Sequence, residues 1–289
     1  MITSADVLTA GTAMSAVTLR VADLDAMTDF YHRGVGLTVQ SQDRGRAVLG
    51  RGDRQALVLE HTPQLRHAPP GHAGLFHTAF LFAHRSELAA ALYAVATRFP
   101  STFTGSADHL VSEAFYFDDP EGNGVELYWD RPRAEWRWDG DHVRMDSLWL
   151  DPNAFLREHL EDDASGTPAG PDLGVGHVHL KVGDVATAQE FYVDVIGFQK
   201  TAAFGNQAVF VSAGRYHHHV AMNTWRSLGA GPRTPALGLG QVAIQVPTTD
   251  EVIAVTERLR GRKIPYRDDG ATVTLHDPWD NVVRVTAAG

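Results

Sequence analysis

The chain has 289 residues, 44% hydrophobic and 21% charged, a balance that excludes a disordered segment and predicts about two globular domains of ordinary size. Its formal net charge is −10, so it lacks the basic face that nucleic-acid binding needs. With no cysteine, a disulfide framework, a thiolate nucleophile and a thiolate metal ligand are all excluded, and any metal site must be built from His, Asp and Glu. The sequence shows neither an 18-residue apolar run nor a charged n-region followed by an apolar h-region, so a cytoplasmic setting away from membranes is expected.

In chain order, Ala16–Val21 alternates as a half-buried strand does, and Asp23 opens a helix whose apolar spacing is Leu24, Met27, Phe30 and Tyr31. That helix should end near Gly34 and Gly36. Short strands are expected at Ala47–Leu49 and Ala56–Leu59, followed by a loop rich in Pro and His up to Gly74. Leu75–Phe82 reads as a strand carrying His77, and Ser86–Arg98 as a helix. Strands at Ala114–Phe117 and Val125–Trp129 flank the turn Asp119-Pro120-Glu121-Gly122-Asn123-Gly124. Residues 136–174, with many Pro, Asp and Gly, read as a connection carrying a short helix between an N-terminal domain spanning 1–135 and a C-terminal domain spanning 175–289.

The second half repeats the first. Val178-His179-Leu180-Lys181-Val182, Asp184, Phe191-Tyr192 and Gly197 answer Val17 through Val21, Asp23, Phe30-Tyr31 and Gly36 at a constant offset of 161. Asp277-Pro278-Trp279-Asp280-Asn281 likewise answers Asp119-Pro120-Glu121-Gly122-Asn123. Each half divides again, giving four β-α-β-β-β modules at about 14–62, 74–130, 175–226 and 238–287.

In the third module, Tyr216-His217-His218-His219 runs into the apolar segment Val220–Asn223. If this run is a strand, His217 and His219 share one face and His218 points away. Neutral imidazoles on one face suit a divalent transition metal.

These modules and motifs resemble the vicinal-oxygen-chelate superfamily, which includes glyoxalase I, extradiol dioxygenases and the bleomycin resistance proteins. Gly74-Leu75-Phe76-His77, Asp119 through Tyr128, and Gly176-His177-Val178-His179 followed by the histidine run are similar to the two-domain catechol 2,3-dioxygenase branch. The resemblance implies an α+β fold, with the four modules forming two glyoxalase-like domains of curved mixed sheet. It also implies metal ligands on the first and last strands of each module. The first-strand slots then hold Thr18, His77, His179 and Gln241, and the last-strand slots Val58, Glu126, His219 and Arg284. Modules two and three therefore supply one ligand set, His77, Glu126, His179 and His219, with His217 as the alternative to His219 if the register is off by two, while modules one and four supply none. A complete site requires module two to pair with module three.

The function that follows from the resemblance is a metal-dependent, extradiol-type ring-cleaving dioxygenase. Its substrates would be a catechol-like diol and dioxygen, and its metal Fe(II), with Mn(II), Ni(II) or Zn(II) as alternatives. His217 and His109 are the candidates for moving the substrate's proton, and Tyr128 and Trp225 for walling the pocket. A glyoxalase-type isomerase or lyase and a non-catalytic small-molecule-binding resistance protein are the competing classes. Homo-oligomer formation is left open.

Overall fold

The computed structural model describes residues 7–161, 170 and 172–288. Two eight-stranded mixed sheets dominate, with 40% strand and 23% helix, an α+β fold in which each sheet curls into a half-barrel cup. Each sheet takes one module from each half of the sequence. The first joins modules one and four through the antiparallel central strands Ala13–Val21 and Gly238–Val246. The second joins modules two and three through Gly74–Phe82 and Gly174–Lys181. The exchanged pairing that a complete ligand set requires is thus the arrangement found.

Strand alternation explains how each sheet serves two surfaces. On Gly174–Lys181, Val178 and Leu180 are fully buried toward the neighbouring sheet, while His177 and His179 face the opposite side, into the cup. Val17, Leu19 and Val21 do the same on Ala13–Val21, and all five belong to one hydrophobic core that spans both sheets. That shared core holds the two cups together as one body, because burying these faces removes the largest apolar area from water.

The halves are also tied by a repeated polar device. In the Asp119–Asn123 turn, Asp119 Oδ1 accepts from the backbone N–H groups of Glu121 and Asn123, and Oδ2 accepts from Tyr31 Oη at 2.8 Å. Asp277 repeats this with Trp279, Asn281 and Tyr192 Oη, the last at 3.1 Å. Each tyrosine belongs to one sheet and its aspartate to the other. Both tyrosines sit on a helix whose last turns widen into π geometry, Phe30–Val35 and Glu190–Ile196. Each helix is then stopped by a left-handed glycine, Gly36 at φ 94° and Gly197 at φ 104°.

Most expected elements are present with longer ends. The strand Phe103–Asp108 escaped the sequence reading because Thr104, Gly105, Ser106 and Ala107 give no alternation of bulky apolar and polar residues. Within the 136–174 connection there is a short hairpin, Trp138–Asp139 with His142–Val143, and the expected helix, Pro152–His159. Positions 162–169 and 171 of that connection lie outside the described residues. Among the described residues no helix is long and apolar enough to cross a membrane.

Candidate metal centre and cavity

The cup of modules two and three encloses a cavity of about 530 Å³. On its floor His77, Glu126 and His177 offer ligand atoms that all lie within 4.8 Å of one another. All three are nearly inaccessible, at 6%, 2% and 2% exposure. Glu126 Oε2 lies 2.9 Å from His77 Nε2 and 3.2 Å from His177 Nε2. Burial alone would raise the Glu126 carboxyl, but His177 and His77 outweigh it and hold the group well below the ordinary carboxylate range. Burial pushes the His177 imidazole down to about 4, against the pull of Glu126, so its ring is neutral at physiological pH.

These three residues fit a divalent cation. Two imidazoles and one carboxylate converge in a buried pocket, and His77 Nε2, despite its closeness to Glu126, has no partner in hydrogen-bonding geometry. A buried nitrogen left in that state carries a desolvation cost that a metal bond would remove.

The sheet register explains which sequence candidates meet here. His77 pairs with His179 across the central strands and His177 with Ala79, so a two-fold relation matches His77 to His177, two residues before His179. Glu126 pairs with Ala79, and the matching position, opposite His179, is Ala221. The four slots are therefore His77, Glu126, His177 and Ala221. His179 still lines the cavity, but its Nε2 accepts from Asn223 Nδ2 at 2.9 Å. The Asn223 amide is oriented for this because its Oδ1 accepts the Trp225 N–H.

The histidine run departs furthest from expectation. It is an irregular bend, reached through left-handed backbone at Gly214 and Arg215, and the strand begins only at Val220. The alternation argument therefore does not apply. His219 turns behind the sheet, where its Nδ1 accepts from Ser212 Oγ at 2.9 Å and the Ala213 N–H at 3.2 Å. His218, expected to point away, lines the cavity with its ring 4.1 Å from that of His177. His217 is fully buried behind it, its Nδ1 2.8 Å from His218 Nδ1 and its Nε2 2.8 Å from Asp130 Oδ1.

The remaining candidates divide. His109 lines the cavity, with Nε2 2.7 Å from Tyr116 Oη. Trp225 lines it too, whereas Tyr128 is fully buried, away from the cavity, its Oη 2.9 Å from Tyr216 Oη. Two features escaped the sequence reading. Phe76 is the unpaired residue of a bulge between the His179–His77 and Leu180–Leu75 pairs, which turns its ring into the cavity against His179 and Trp225. Gly176 occupies a second bulge beside His177, where a Cβ would collide with Tyr128 Oη; the pair Gly176-His177 was the available signal.

Comparison with known proteins matches this architecture. The model of the Glyoxalase/Bleomycin resistance protein/Dioxygenase superfamily matches residues 13–127 and 174–281. The chain belongs to this superfamily. It is 35% identical over 266 residues to a Bacillus subtilis (strain 168) protein named Catechol-2,3-dioxygenase, covering 90% of this chain and 92% of that one. Among solved structures, a putative dioxygenase from Bacillus subtilis superposes with a TM-score of 0.65 at 14% identity, over 97% of this chain and 86% of the other. Glyoxalase I from Zea mays superposes at 0.57 and 14%, over 96% and 92%. At such identities the structural likenesses concern the fold alone.

Proposed function

We propose that this protein is an extradiol-type dioxygenase that cleaves the ring of a catechol-like aromatic diol, with Fe(II) held by His77, Glu126 and His177. The observation that carries the reading is the buried two-histidine, one-carboxylate triad, whose fourth slot is Ala221. A fourth protein ligand there would crowd out exogenous ligands, whereas three leave room for both diol oxygens and a gas molecule. The name of the Bacillus subtilis relative supports the same chemistry. When bound, the metal would supply Lewis acidity and an electron path between diol and dioxygen.

The chain's own residues would do the rest. Phe76, Phe210 and Trp225 present aromatic surfaces on the cavity wall against which a planar ring would pack, excluding water. His218 is placed to take the diol proton. Asp130 Oδ1 accepts from His217 Nε2–H, which leaves His217 Nδ1 as an acceptor for His218 Nδ1–H. His218 Nε2 then keeps its lone pair, and burial together with the neighbouring histidines keeps the ring neutral. Positive charge developing on His218 would be stabilised through His217 by Asp130, which Tyr216 Oη also holds at 2.7 Å. On the other wall, His109 and Tyr116 form a second chain that ends beside Glu126.

The test is anaerobic reconstitution with Fe(II), then oxygen uptake and ring-cleavage absorbance over a panel of catechols. One oxygen consumed per diol cleaved is expected. Hemithioacetal isomerisation without oxygen uptake would sink the reading in favour of glyoxalase-type chemistry.

A further inference from the structure

The cavity carries a charge pattern that binding an unsubstituted diol does not require. Beyond the triad, its lining includes two cations, Lys181 and Arg226, and one further carboxylate, Asp118. Lys181 follows His177 and His179 on the cup face of the same strand, four residues of extended chain and about 13 Å from His177. It is half-buried, yet it makes no hydrogen bond or ion pair with any described residue. Burial and the charges of Arg226 and Arg233 all push its ammonium's pKa down, so the fold places this group where its charge is uncompensated. Arg226, at the mouth beside Trp225, forms no ion pair with any described residue either. Asp118 feels its charge, but burial raises the Asp118 carboxyl and no ion pair joins the two.

The order along the strand has a geometric consequence. A diol anchored at the His77–Glu126–His177 floor would send its ring outward past the touching rings of Phe76 and Trp225, and a substituent on the far edge of that ring would emerge at Lys181 and Arg226. An ammonium and a guanidinium without partners at that point recognise a carboxylate. Exposed aromatic rings around the mouth, Trp225 at 46% and Phe204 at 40% exposure, would cover the arm that carries it.

We infer that the substrate is an aromatic vicinal diol carrying an anionic side chain on the ring edge away from the hydroxyls, with its acid group seated between Lys181 and Arg226. The orientation of the diol rests on the function proposed above; the anion seat does not.

Calorimetric titration of the full-length protein, metal-free and Mn(II)-loaded, with 3,4-dihydroxyphenylacetate, its uncharged near-isostere 4-ethylcatechol, and phenylacetate would test this. For Mn(II)-loaded protein the acid should bind about tenfold more tightly than 4-ethylcatechol at low salt, an advantage that shrinks as salt rises. In Lys181→Met/Arg226→Gln the two ligands should come within about twofold of each other, while Lys181→Arg should keep most of the preference. Phenylacetate should bind the metal-free protein and lose that binding in the double variant. Equal affinities in the parent protein, or a preference that survives the double variant, would overturn the inference. If no catechol supports oxygen uptake, the dioxygenase reading fails, and the phenylacetate result still decides the anion seat separately.

Discussion

The two cups of this molecule are built alike and differ in what fills equivalent positions. In each, a pair of central strands meets in the same register, Thr18 opposite Gln241 in one and His179 opposite His77 in the other. Transferring the register of the metal-binding cup places Ala16, Val58, Gln241 and Arg284 where it has His177, Ala221, His77 and Glu126. Both imidazoles are lost and the carboxylate becomes a guanidinium, so the second cup would repel a cation. Even the bulged aromatic Phe76 has Gly240 as its counterpart, whose small space is bounded by Thr18. The backbone therefore makes the cup, and a few side chains make it a site. Duplication preserved the first in both copies and the second in one.

The sharpest way to break this comparison is to attack the ligands themselves. Glu126→Ala removes the anionic ligand, and metal affinity should fall by at least about 100-fold, beyond what loss of an outer-shell partner costs. Oxygen uptake should vanish with it while the melting transition stays cooperative. Arg284→Ala in the other cup should leave one metal per chain, measured after dialysis by elemental analysis. Retained metal in Glu126→Ala would show that the wrong residues have been assigned.

Next in size is the contrast between neighbours two residues apart. His177→Ala should lose metal about as severely as Glu126→Ala, whereas His179→Ala should keep full stoichiometry, because His179 Nε2 is already engaged by Asn223. If His179→Ala empties the site and His177→Ala does not, the two-fold register argument is wrong.

This contrast also marks where the sequence stopped being legible. The internal repeat could be read from it, as could the meeting of His77 and Glu126 in one cup. These rest on spacing within a single strand or turn, which chain chemistry dictates locally. The expected His179 and His219 each stand two residues from the positions that the sheet register brings together, His177 and Ala221, and two is the period of a strand. An offset of 161 relates modules one and three but does not say which of two residues on the same face meets module two, because that depends on pairing across the sheet. From Val58 to Ala221 the offset is 163, so module three carries two extra residues before its last strand, and aligning by the constant offset placed His219 in the slot. The bend at Gly214 and Arg215 absorbs that insertion and turns His218 inward.

A third expected effect concerns acid. In the metal-free protein, burial lowers His177 to about 4 and His219 to about 3, from an ordinary 6.5. Between 6.5 and those values the unfolded chain binds protons that the folded chain refuses. The stability held by these neutral rings is thus complete above 6.5 and lost progressively as pH falls. Asp119, raised to about 6 by burial, works in the opposite sense, since its protonated form suits the fold. His177, His179, His218 and His219 are all lowered and Glu126 is lowered with them, against raised Asp118, Asp119 and Asp277. The urea midpoint should therefore drop between about pH 7 and about pH 4.5, and His219→Gln should flatten that drop. The positions of the second cup, Ala16, Val58 and Gln241, contribute no titration, so the acid sensitivity belongs to the metal-binding cup. A midpoint that rises on acidification would refute the assignment.

The smallest effect tests the likeness of the halves, where the others test their difference. Tyr31 donates to Asp119 across the two sheets and Tyr192 to Asp277 in the same way, and all four side chains are buried. Replacing either tyrosine by Phe keeps the ring packing and removes one hydrogen bond to a buried carboxyl, a loss of about 1–3 kcal/mol. The penalty is kept small because Asn123 Nδ2 continues to serve Asp119 Oδ2, and Asn281 Nδ2 serves Asp277 Oδ2. Tyr31→Phe and Tyr192→Phe should therefore destabilise by similar amounts in urea, within about 1 kcal/mol of each other. Neither should change metal content, since neither aspartate faces the triad. The double variant should be additive, because the two ties sit in separate turns and share no partner. A large penalty for one and none for the other would mean that only one turn still clamps its two sheets together.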